Sequence, residues 1–237
     1  MIKLYSFGPK FGLPDPSPFV LKTDLYMRIA GIEFETITDG KNMQNAPKGK
    51  LPFIEDKGKV VADSFFILEY LRKEKAVTLD NWLSDEQVAM SHLIGKALEE
   101  SFYWCIVYSR WMKEETWKLI KQAFFSSMPL PLRLIVPGLI RRGVKGALKK
   151  QGIGRHSDEE ILLIANRTLK SVSVLLADKP YIMGDKACSL DASVFAFLAS
   201  VILVDINDPL TQSARKYQNL VDYCQRIQQQ YYAEQPV

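Results

Sequence analysis

The sequence predicts a small α/β domain with one mixed sheet, followed by a larger all-helical domain. Three observations predict it. The hydrophobic period changes repeatedly over the first 75 or so residues, strand signals stop after Asp80, and helix-start signatures recur from there to the end. With 237 residues, 47% of them hydrophobic, the chain has material for one large or two modest cores.

Taken in order, Ile2 to Phe7 reads as a short strand and Pro18 to Ala30 as a helix ended by Gly31. Phe34 to Thr38 alternates as a second strand. "LPFIED" and "KVVA" form two more strands joined at Asp56-Lys57-Gly58, and Ser64 to about Lys75 forms a helix. A strand, a crossover helix, a parallel strand and a hairpin make one mixed sheet. The linker is 76–83, which divides the chain into 1–76 and 84–237. Beyond it, Ser84-Asp85-Glu86-Gln87 and Ser157-Asp158-Glu159-Glu160 fit the capping box. Leu190 to Val204 is apolar nearly all round and reads as a buried helix, and a last helix runs from about Leu210 to Tyr232.

Composition excludes several classes. Cys105, Cys188 and Cys224 are scattered and odd in number, which fits a reducing compartment rather than a disulfide framework. His92 and His156 stand apart from any cluster with metal-ligand spacing, so no metal site is expected. The start lacks the apolar core of a signal peptide and no run is long enough to span a membrane, so a soluble cytoplasmic protein is expected. The formal charge of +4 is local in origin: Arg133, Arg141, Arg142, Lys145, Lys149, Lys150 and Arg155 fall in one stretch without an acid, and the rest of the chain is acidic.

Three motifs carry candidate chemistry. In "PDPSPFVLK", Ser17 stands between two prolines at the N-cap of the Pro18 helix. It either caps the helix alone or also serves a ligand anion, since free N–H groups and the helix dipole favour a thiolate there. In "KGKLPFIED", Pro52 enters an edge strand in trans, or in cis with the backbone of Leu51 turned outward to pair with an extended peptide. In "VADSFFILEYL", Asp63 and Ser64 either cap a helix or receive an ammonium and a carboxylate, the two charges of an amino acid's α-end.

The order of these motifs, with "GDKACSLDAS" in the second half, resembles the glutathione transferase superfamily, and within it the branch of failed-axon-connections proteins, cadmium-responsive nematode relatives and metaxins. The resemblance implies a thioredoxin-like N-terminal domain and the transferase type of helical C-terminal domain. It implies glutathione as co-substrate: Leu51 on the cysteinyl unit, Pro52 in cis, Asp63 and Ser64 on the γ-glutamyl end, and Lys48 or Lys50 on the glycine carboxylate. Ser17 matches the position that donates a hydrogen bond to the thiol. Because no cysteine stands there, a mixed disulfide with glutathione at that position is excluded. Tyr5 is the runner-up hydroxyl.

In "GDKACSLDAS", Cys188 takes the place of the family's usual Ser or Thr, so Ser189 or the backbone is expected to complete the cap with Asp191, a structural residue. The aromatic set Phe102, Tyr103, Trp104, Tyr108 and Trp111 on the first long helix of this domain is either core or, at Tyr108 and Trp111, which fall one turn apart, the lining of a pocket for a small-molecule electrophile. A two-fold homodimer is expected. The basic stretch 130–155 is either a solvated helical extension or a contact for an anionic membrane surface or acidic partner, and nucleic acid is not expected. Conjugation or peroxide reduction is the implied activity, and a non-catalytic partner-binding protein of the metaxin type is the alternative.

Overall fold

The computed structural model describes residues 1–233, so the last four residues of the expected helical domain lie outside it. Strands β1 (Ile2–Ser6), β2 (Phe34–Thr38), β3 (Phe53–Asp56) and β4 (Lys59–Ala62) form one sheet in the order β2-β1-β3-β4. β1 runs parallel to β2 and antiparallel to β3, which hairpins into β4. Helix α1 (Pro18–Ile29) is the crossover, and its C-terminus gives way at Gly31, where φ is +64°. A one-turn helix α2 (Asn42–Asn45) was not expected; the Asn42 amide donates to the carbonyls of Ser6 and Ile37 and closes the ends of β1 and β2. Helix α3 (Ser64–Glu74) completes the domain, with Leu4, Leu21, Leu25, Ile54, Ile67 and Leu71 fully buried.

The second domain runs through α4 (Asp85–Lys96), a π-helical turn (Ala97–Phe102), α5 (Tyr103–Met112), α6 (Glu114–Phe125), α7 (Leu132–Gln151) and a 3₁₀ turn (Ile153–Arg155). It continues with α8 (Asp158–Leu176), α9 (Ser189–Ile202), α10 (Pro209–Ala214) and α11 (Gln218–Tyr232). Both expected capping boxes form, with Ser84 paired to Gln87 and Ser157 to Glu160. α9 is buried on every side from Leu190 to Ile202 and packs on α1, where Phe19 meets Phe197 edge to face at 5.4 Å. One hydrophobic cluster therefore crosses both domains.

The expected helix from Leu210 to Tyr232 is two helices. Asp208 caps α10 through Thr211, and the Arg215 guanidinium turns back to the carbonyls of Ile202, Val204 and Ile206 at the end of α9. The chain bends there without a Gly or Pro to announce it. The basic stretch forms the continuous helix α7, with Pro137 near its N-terminal end and Pro137, Arg141, Val144 and Leu148 on the side facing the protein.

Candidate functional site

The sheet register gathers the three motifs at one place. Tyr5 at the end of β1 pairs with Phe53 at the start of β3, and Phe53 pairs with Ala62 at the end of β4. The loop to α1, the Leu51-Pro52 corner and the N-terminus of α3 therefore leave the same end of the sheet.

Ser17 is the N-cap of α1, part-exposed, with its hydroxyl oxygen 3.4 Å from the Val20 N–H. That bond uses a lone pair and leaves the hydroxyl proton free to donate. Two further residues hold the loop, Asp15 within the motif and Arg110 far from it in sequence. Asp15, buried, accepts the N–H groups of Phe7, Gly8 and Ser17 at 2.8, 3.1 and 2.8 Å. Burial pushes its carboxyl up to about 7, against the pull of those three donors. Arg110 of α5, also buried, donates to the carbonyls of Pro16 at 2.6 Å and Ser200 at 3.0 Å, tying the loop to the end of α9. Arg110 is not visible as a site residue in the sequence, because its partners are backbone groups about 90 residues away; the partners of Asp15 are local, but only the folded loop turns their N–H groups onto its carboxylate.

The Leu51-Pro52 peptide is cis, and the Asp63 N–H donates to the Pro52 carbonyl at 3.3 Å. Among the described residues, neither backbone group of Leu51 has a backbone partner. Asp63 has φ +85° and ψ +126°, an outlier for a residue with a Cβ, and its carboxylate accepts the Phe65 N–H at 2.9 Å. The strain and exposure of this cap residue make it a candidate for ligand contact. Ser64 is buried, and its hydroxyl makes no hydrogen bond to another side chain or carbonyl among the described residues. Lys50 is exposed, and the Lys48 ammonium lies 4.3 Å from the centre of the Phe66 ring. Tyr5 is occupied: it stacks on Phe53 at 4.0 Å and donates to Glu55 at 3.0 Å.

Tyr108 and Trp111 do not share a pocket. The Tyr108 hydroxyl donates to Asp158 at 2.7 Å and lines a cavity of about 260 Å³ between α5, α8 and α10. Burial and that carboxylate raise it to about 12. Trp111 packs on Trp117 at 5.4 Å, in a satellite cluster with Phe11 and Phe124. Side chains one turn apart meet on a straight helix face, but here α8 takes one and α6 the other. Phe7 and Phe11 of the Ser17 loop both pack on Phe124, so the end of α6 borders the site.

Ser189 does not complete the α9 cap. It donates from its N–H and hydroxyl to Asp80 at 2.8 and 2.6 Å, while Asp191 accepts the N–H groups of Cys188 and Ile182 and the Tyr223 hydroxyl, each at 2.9 Å. Burial raises the thiols of all three cysteines, Cys105 to about 11, so none is a ready nucleophile. Among the described residues, no three His, Cys, Asp or Glu side chains converge on a metal position.

The glutathione S-transferase N-terminal domain model matches residues 18–116, and the glutathione S-transferase C-terminal domain model matches residues 165–227. An isoprene-epoxide glutathione S-transferase of Rhodococcus sp. (strain AD45) is 34% identical over 98% of this chain and 99% of its own. Failed axon connections of Drosophila melanogaster is 32% identical over 96% of this chain, which spans 57% of that protein. Human metaxin-2 is 25% identical over 90% of this chain and 82% of its own. In fold, a Methylobacterium radiotolerans glutathione S-transferase solved with glutathione sulfonate superposes with a TM-score of 0.61 at 16% identity, covering 96% of this chain and 90% of its own. The chain belongs to the glutathione S-transferase superfamily, with the metaxin-like branch among its relatives.

Proposed function

We propose that the protein binds glutathione at this sheet end and transfers it to a small electrophile. The observation that carries the proposal is the register, which brings an unpaired backbone at Leu51, an unpartnered hydroxyl at Ser64, a strained acid at Asp63 and a capped helix mouth at Ser17 to one edge. Each suits one part of the tripeptide. The cysteinyl backbone pairs with Leu51 as an added strand. The α-carboxylate accepts from Ser64 and the first turn of α3, and the ammonium is held by Asp63. Lys50 lies on the approach of the glycine carboxylate.

The thiol then faces Ser17. A hydrogen bond to a thiolate stabilises it by roughly 1.5 to 3 kcal/mol, one to two units of acidity for a thiol near pKa 8.5. Asp15 and Arg110 position that hydroxyl by fixing its loop. The similarity to an isoprene-epoxide transferase favours an epoxide as the electrophile. Sulfur attacks one epoxide carbon as the C–O bond breaks; the alkoxide takes up a proton from solvent, balancing the one lost by the thiol. Phe7, Phe11 and Phe124 offer it an apolar wall.

Replacing Ser17 by Gly tests the assignment, since glycine keeps the helix cap within a few tenths of a kcal/mol but removes the hydroxyl. With a small epoxide and glutathione, the expected result is a roughly 10- to 100-fold fall in turnover with little change in glutathione affinity. Unchanged turnover at equal occupancy removes Ser17 from the mechanism.

A second reading, a non-catalytic partner-binding protein, is favoured by the similarity to Failed axon connections and the metaxins. It requires a wild-type chain that turns over no electrophile. A two-fold dimer through α3 and α4 is proposed for either reading. Phe66, Val88 and Leu93 are 53%, 49% and 68% exposed there, and sedimentation as a monomer at every concentration would set the dimer aside.

A further inference from the structure

We infer that α7 is a membrane-surface helix, which lies flat on anionic lipid with its outer face in the headgroup region. Its inner face is fixed by Pro137, Arg141, Val144 and Leu148; Arg141 alone donates to the carbonyls of Trp111 and Met112 and to Glu114. Opposite them, Leu132, Ile135 and Leu139, spaced i, i+3 and i+7, share one outward stripe. They are 50%, 56% and 62% exposed, and Leu130 and Leu134 at the same end are 67% and 72% exposed. An apolar run of this kind is costly in water and calls for a cover.

The charges say what covers it. Arg133, Arg142, Lys145, Lys149 and Lys150 are all exposed, and no acid occurs between Leu130 and Arg155. None of these five forms an ion pair among the described residues, and Glu114 of α6 is engaged with Arg141. A second copy of the helix would bring the same cations face to face, so self-association is opposed. A headgroup layer takes up exposed leucines among its acyl chains while phosphates and carboxylates meet the flanking cations, the composition of an interfacial helix. Gly143 and Gly146 continue the outer side, and a Cβ at either would meet nothing within 4 Å, so they leave the backbone bare to approach the surface. No described helix is long and apolar enough to cross a membrane, which agrees with lying on one.

The test is sedimentation of the full chain with vesicles of phosphatidylcholine alone and of equimolar phosphatidylcholine and phosphatidylserine. Binding to the anionic vesicles only, weakened by salt, is expected. The triple variant Arg142→Gln, Lys145→Gln, Lys149→Gln should lose about fivefold in partitioning per cation removed. Leu132→Ser with Leu139→Ser should abolish binding at unchanged thermal stability, since these side chains touch little of the protein.

The three native cysteines are buried, so Ile135→Cys accepts an environment-sensitive dye at one position. Its emission should move to shorter wavelength on anionic vesicles. No binding, equal binding to neutral vesicles, or binding indifferent to these variants overturns the inference. Retention on an acidic polypeptide without vesicle binding overturns it in favour of an acidic protein partner.

Discussion

At the scale of single residues, Asp15 is the least visible and most consequential element of the site. Its carboxylate shapes the turn that presents Ser17, yet burial lifts it from an ordinary 3.8 to about 7. The native state thus holds its proton more tightly than the unfolded chain does. Its contribution to stability is complete below about pH 4 and is lost as pH rises through 7. Thermal midpoints of the wild type should fall between about pH 5 and 8, and Asp15→Asn, neutral throughout, should flatten that decline. Asp24 and Asp191, also raised by burial, leave a residual slope in the variant. An identical pH profile in both proteins would mean that Asp15 stays ionised and contributes nothing to it. Ser17, Pro52, Asp63 and Ser64 could be picked from the sequence because prolines and cap residues mark them. The positive φ of Asp63 and the reach of Arg110 could not, since both depend on contacts made after folding.

At the scale of elements, caps were legible because a capping box is local: Ser84 with Gln87 and Ser157 with Glu160 need only four residues. The break between α10 and α11 was hidden because Arg215 and the end of α9 impose it from outside. The π-helical turn Ala97–Phe102 was equally hidden, and it carries Glu99, whose carboxylate meets Lys22 of α1 at 2.5 Å in an almost fully buried ion pair between the domains. Ser193 adds a hydrogen bond from α9 at 3.5 Å. Glu99→Ala strands a buried ammonium and should cost about 3 to 5 kcal/mol in urea unfolding, while Lys22→Met with Glu99→Leu should be near neutral or stabilising. A small loss in the single variant would mean that Lys22 escapes to water.

At the scale of the molecule, the fold was readable because a change of hydrophobic period separates sheet from helices without reference to tertiary contacts. The site was readable only in outline. Its parts lie at sequence positions 15–17, 51–52, 63–64 and 110, and the β1–β3–β4 register is what places the first three groups at one end of the sheet. Arg110 and the Phe7–Phe124 contact then couple that edge to the helical domain. The second domain thus shapes the site as well as flanking it.

The central claim is that this edge holds glutathione by its γ-glutamyl end. Calorimetric titration of glutathione into the wild type and Asp63→Asn tests it most directly, because asparagine tolerates the positive φ and keeps the cap while losing the charge. Saturable binding by the wild type and an affinity about 10- to 100-fold weaker in the variant are expected. A wild type that takes up no glutathione, or two proteins that bind it equally well, would contradict the claim.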